Sequence, residues 1–153
     1  YEQEKYEEAE KLVRNELNIR KQTQELEHPD TLAAMELLAG VLRDQGRDKL
    51  AEQYYRRLIR HRGNTLGEEH PDTLETRHQL ALVLHNQGSY PQAEQLFRQT
   101  LEIQQRVLGD SDPQTLKTMG ALSSVLRTRK QNAKADAIDR QILELYRQNN
   151  NRE

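Results

Sequence analysis

HPDTLAAMELLAGVLRDQG, residues 28–46, and HPDTLETRHQLALVLHNQG, residues 70–88, are identical at 11 of 19 positions. A blurred third copy, DPQTL, opens at Asp112, so the starts at 28, 70 and 112 are spaced by 42 residues. The register runs on without a gap between the copies. Ala9, Ala51, Ala93 and Ala135 share one position, Glu10, Glu52, Glu94 and Asp136 the next, and Leu17, Ile59, Leu101 and Leu143 another. A fixed period of this size marks an array of one supersecondary unit, each copy of which buries its apolar face only against its neighbours. The chain divides accordingly into 1–27, 28–69, 70–111 and 112–153, the first of these being half a unit.

Each full unit reads as two helices. Leu74, Leu80, Ala81 and Leu84 recur at helical spacing behind Pro71, a residue tolerated in a first turn because the N–H it lacks would have no partner there. Asp112 before Pro113 is an N-cap, and Gly46 and Gly88 end the first helix of their units. The second helix opens at Ser89, with Gln92 at capping-box spacing, and carries Ala93, Leu96, Phe97, Leu101 and Val107 on its apolar side. Strand signals are absent. The expected fold is an all-α, right-handed superhelical solenoid of antiparallel helix pairs, with seven helices. Ala51 and Ala93 mark a close approach of the two helices of a pair. The first helix, Tyr6 to about Gln24, has no partner before it, so the chain reads as a piece of a longer array. Ala9, Leu12 and Val13 should then form an exposed strip that favours weak self-association through Tyr6 to Leu17. At the other end Gly46 and Gly88 give way to Lys130, and Tyr55 and Phe97 to Asp139, so Gln131 to about Arg147 reads as a polar closing helix.

These residues resemble the tetratricopeptide repeat. Small side chains at Ala39, Ala81 and Ser123 in the first helix and Ala51, Ala93 and Ala135 in the second carry the likeness, with Tyr55 or Phe97 four residues on. The 42-residue unit with LGEEHPDTL between copies and YEEAEKL or YPQAEQL in the second helix is similar to kinesin light chain repeats. In wording it is closest to repeat arrays of fungal NLR-like signalling NTPases. The resemblance implies a protein-interaction scaffold, with the first (A) helices lining a concave face.

Along each A helix a second, non-core stripe falls on that face. It comprises Glu36 and Arg43 in the first full unit, Glu75, His78, His85 and Asn86 in the second, and Lys117, Ser124 and Arg127 in the third. Small residues at Gly40, Gly120 and Ser124 leave room for a peptide or protein segment to lie close. Where light-chain repeats carry asparagine pairs, this sequence has Glu36-Leu37, His78-Gln79 and Gly120-Ala121.

Composition narrows the other classes. With 25 acidic and 23 basic residues there is no electrostatic case for nucleic acid, and no stretch has the roughly 20 apolar residues that cross a bilayer. No cysteine is present, which suits a reducing, cytoplasmic setting. There is no phosphate loop, nucleophile elbow or HExxH, so neither catalysis nor a cofactor is expected. His78 and His85 lie two turns apart, about 10 Å along a helix axis, too far to share a metal. Two readings from different classes stand: a peptide-binding recognition arm of an NLR-like signalling protein or of a kinesin-light-chain-like cargo adaptor, and a structural self-association module.

Overall fold

The computed structural model describes residues 7, 8, 10–15, 18, 19 and 28–150. Six helices have defined bounds: α1 (Pro29–Asp44), α2 (Asp48–Thr65), α3 (Pro71–Asn86), α4 (Tyr90–Val107), α5 (Pro113–Thr128) and α6 (Asn132–Asn150). The described residues before His28 are helical too, which supplies the seventh, and no strand occurs among the described residues. The fold is the all-α solenoid that the period implied, in A–B pairs α1–α2, α3–α4 and α5–α6.

The repeated pentad HPDTL builds the start of each A helix. His28 and His70 are N-caps: Nδ1 accepts the backbone N–H of Asp30 at 3.3 Å and of Asp72 at 3.2 Å. Asp112 does the same for Gln114 at 2.8 Å, so an imidazole and a carboxylate serve one geometric purpose. Proline takes the first turn, and the threonine and leucine that follow are buried in all three copies. Thr73 donates to the Gly67 carbonyl at 2.8 Å and ties its helix to the preceding turn.

Each A helix ends in the same reversal. Gly46 donates to the Arg43 carbonyl and Arg47 to Leu42; Gly88 and Ser89 repeat this on His85 and Leu84, and Lys130 and Gln131 on Arg127 and Leu126. This pairing needs a left-handed residue. Gly46 and Gly88 adopt φ of 71° and 78°, whereas Lys130 adopts 60° with a side chain attached.

Packing follows the alanine register. Ala39, Ala51, Ala81, Ala93 and Ala135 are fully buried, and Tyr55 and Phe97 fill the space beside them. Polar bonds then fix one unit on the next: Glu10 pairs with Arg14 at 2.8 Å and Arg47 at 2.6 Å, and Glu52 with Arg56 at 2.8 Å and Gln87 at 2.9 Å. Glu94 pairs with Arg98 at 2.9 Å and also with Arg129. Burial alone would raise the pKa of Glu94, but its two arginines outweigh this and hold it below the usual carboxylate range.

The structure corrects several details of the sequence reading. Ser89 caps α4 through its backbone, its side chain making no capping bond. Val13 faces the core, whereas Leu12 is 72% exposed, so the two do not form one exposed strip; Ala9, Tyr6 and Leu17 lie outside the described residues. Val107 is exposed at the end of α4. The closing helix reaches Asn150 and is not wholly polar on its surface, because Leu143 and Tyr146 are half exposed.

Candidate partner-binding face

Side-chain bonds between A helices place α1, α3 and α5 along one face. The predicted stripe lies largely on it, but several of its members hold the helices together. Glu75 takes the Lys117 ammonium at 2.7 Å, one full period away. Burial raises the Glu75 pKa, and hydrogen bonds from Lys117 and Gln79 more than offset it, leaving the carboxylate favoured. Glu36 receives two bonds from Arg62, at 2.9 and 2.8 Å, and Arg62 also donates to Thr76 at 2.6 Å. The bond to Glu36 pushes the Arg62 pKa up, outweighing the opposing effect of burial.

His78 does not belong to an open stripe. It is only 2% exposed, its Nδ1 lies 3.0 Å from Thr118 Oγ1, and its ring meets Phe97 edge-on at 5.3 Å. Burial pushes its pKa down from 6.5 to about 4, the nearby Glu75 opposing. The i, i+3, i+4 spacing that placed it on the groove also serves the seam between neighbouring A helices. Its register partners, Glu36 and Gly120, gave no sign of this burial.

The remaining predicted residues are more open. His85 Nε2 stands 3.5 Å from Thr128 Oγ1, with its ring 5.2 Å from Tyr90. Asn86 reaches Asp48 at 3.4 Å, Arg127 pairs with Asp136 at 2.8 Å and with Asp139, and Ser124 is exposed. Glu36, Arg43 and Glu75 are brought together around an open cleft of about 400 Å³, beside Leu37, Gly40, Asp44, Tyr55 and Gln79. Arg43 bonds Gln79 across it and Asp44 beside it, at 2.9 Å to the latter. Leu37 is 57% exposed at its edge. A Cβ at position 40 would stand 3.9 Å from Tyr55 Oη, so glycine there sets the depth of the cleft. Sequence reasoning left Leu37 and Gln79 out of the stripe, although both fall where the light-chain repeats carry their asparagine pairs. No cluster of metal-ligating side chains occurs among the described residues, and no described helix is long and apolar enough to cross a membrane.

Stacked antiparallel helix pairs sharing an A-helix face define a repeat solenoid. The particular family is set by comparison: the tetratricopeptide repeat profile matches residues 1–64, 37–101 and 72–148, and the chain belongs to that family. Its structure is similar to that of the nearly identical TPR-like repeats of a Podosopora anserina kinesin light chain, with TM-score 0.83 and 25% identity over 94% of this chain and 68% of that one. A point variant of the same protein gives 0.85 and 25% over 95% and 69%. BtubC (BKLC) from P. vanneervenii, at 22% identity, shares the fold with TM-score 0.82 over 97% of this chain and 58% of its own. No curated protein matches the chain.

Proposed function

We propose that this chain is a non-catalytic, cytoplasmic protein-interaction scaffold that takes a peptide or protein segment along its A-helix face. It serves as the recognition part of a larger NLR-like signalling protein. The observation that carries the binding face is the cleft at Gly40, where an exposed leucine, a glycine-wide gap and the charges of Glu36, Arg43 and Glu75 meet. An apolar anchor ringed by polar groups is the usual composition of a recognition site. Kinesin-light-chain-like cargo adaptation is the second reading, supported by the Podosopora anserina repeats at 25% identity. A module whose whole purpose is self-association is the third.

Selection of displayed peptides on the wild-type chain tests the face. Binders should be recovered, and should lose affinity at least about tenfold against Leu37→Asp and Gly40→Glu, proteins whose thermal unfolding is otherwise unchanged. A selection in which no recovered peptide is weakened by either variant would rule this face out.

A further inference from the structure

A second cleft lies on the opposite side of the solenoid, between the B helices α2 and α4 and over α3. Its volume is about 430 Å³, within the roughly 300–1,000 Å³ range of ligand clefts. Ile59, Leu80 and Leu96 give it an apolar lining, Arg56, Arg60 and Arg77 stand around them, and no acidic side chain lines it. Glu52 holds Arg56 from outside at 2.8 Å, and Glu68 likewise pairs with Arg77. Arg60 has no ion pair among the described residues, and Arg77 Nε is sealed from solvent without a hydrogen-bond partner.

The register shows that this charge is specific to one place in the array. Position 77 corresponds to Met35 and Met119, each 1% exposed, so a cation stands here where the neighbouring copies bury a thioether. Position 60 corresponds to Glu102 one unit later. A packing role would be met by methionine, as its copies demonstrate, so the guanidinium at position 77 is not something the fold requires.

We infer that the B-helix cleft docks an acidic segment of a partner protein, an aliphatic side chain entering between Ile59, Leu80 and Leu96 while flanking carboxylates meet Arg60 and Arg77. Charge complementarity fixes the sign of the occupant, since guanidinium groups bind carboxylates with paired N–H donors. The apolar lining demands a side chain as well as an anion, which separates a peptide from a free carboxylate. The same apolar lining offers nothing to the sugar-phosphate backbone of a nucleic acid. This surface is independent of the A-helix cleft.

The test uses the whole chain and a short fluorescent peptide of alternating leucine and glutamate, followed by anisotropy. The peptide should bind, and should bind at least about tenfold more weakly to Arg60→Glu and to Arg77→Met. Arg77→Met restores the residue of the neighbouring copies and should melt no lower than wild type, so its effect cannot come from misfolding. A lysine-for-glutamate peptide should not bind, and a serine-for-leucine peptide should bind far less well. Equal affinity for wild type and both variants would overturn the proposal, as would equal binding of the serine peptide or no binding up to about 1 mM. Self-association of the chain that Arg60→Glu abolishes would also overturn it, naming a second copy as the occupant.

Discussion

The two junctions between A helices occupy the same register and solve the same packing problem with different chemistry. At the first, Glu36 on α1 is bridged to Thr76 on α3 by the buried guanidinium of Arg62. At the second, 42 residues on, the corresponding residues are His78, Thr118 and Gln104. There His78 reaches Thr118 directly, and the amide of Gln104, fully buried, finds no partner. On the open surface the difference continues: Gly40 leaves a cleft at the first junction, and Leu82 takes its place at the second. A repeat template therefore conserves shape while leaving the polar seam free to vary, and the variation decides which junction is closed and which can receive something.

Exchanging one seam for the other is the strongest way to break this comparison. His78→Glu alone places a carboxylate beside a neutral glutamine and should cost about 3–5 kcal/mol, as for other buried charges without a partner. Adding Gln104→Arg rebuilds the Glu–Arg–Thr bridge of the first junction and should recover most of the loss in urea unfolding. No recovery would show that the seams are not interchangeable.

Acid should separate the junctions next. The folded-state pKa of His78 lies below its unfolded value of 6.5, at about 4, so between these pH values the unfolded chain binds the proton that the native one refuses. Its stabilisation is present above pH 6.5 and is lost as pH falls toward 4. Glu75 and Glu94, with lowered pKa values, lose theirs only below about 4.5. Between pH 6.5 and 4.5 the wild type should thus lose on the order of 2 kcal/mol that His78→Gln does not. Parallel curves for the two proteins would contradict the buried, neutral imidazole.

Where successive helix pairs carry the same residue, they should respond alike. Ala51→Leu and Ala93→Leu each force a branched side chain into a closed contact and should cost about 1–3 kcal/mol, equal for the two within error. A smaller effect distinguishes the third turn from the first two: Lys130→Gly relieves a left-handed lysine and should stabilise by roughly 0.5–1 kcal/mol in thermal melts.

The fold was legible because period, alanine register and turn glycines are all backbone requirements. Ala93 had to be small whatever surrounded it, and Gly88 had to reach positive φ. The histidines of HPDTL were harder, since an imidazole acting as an N-cap is not among the preferred caps and only Asp112 in the third copy gave it away. The candidate face was legible as a face and not as a site. Helical spacing put Glu36, Arg43 and Glu75 together, but it could not tell His78 in the seam from a residue in the groove, because both lie on the same arc of α3. Leu37 was missed for the opposite reason: a leucine inside the largely apolar run from Met35 to Leu42 reads as core until the structure shows it exposed.

The proposed function makes one of these junctions the binding site, and chemical-shift mapping addresses that most directly. A peptide selected on the wild-type chain, titrated into isotopically labelled protein, should perturb the amides of Leu37, Gly40, Arg43 and Gln79 together, with little change around Gly120 and Ser124. Shifts confined to the second junction, with Leu37 and Gly40 unmoved, would contradict the assignment of the A-helix cleft as a site where this scaffold takes a partner.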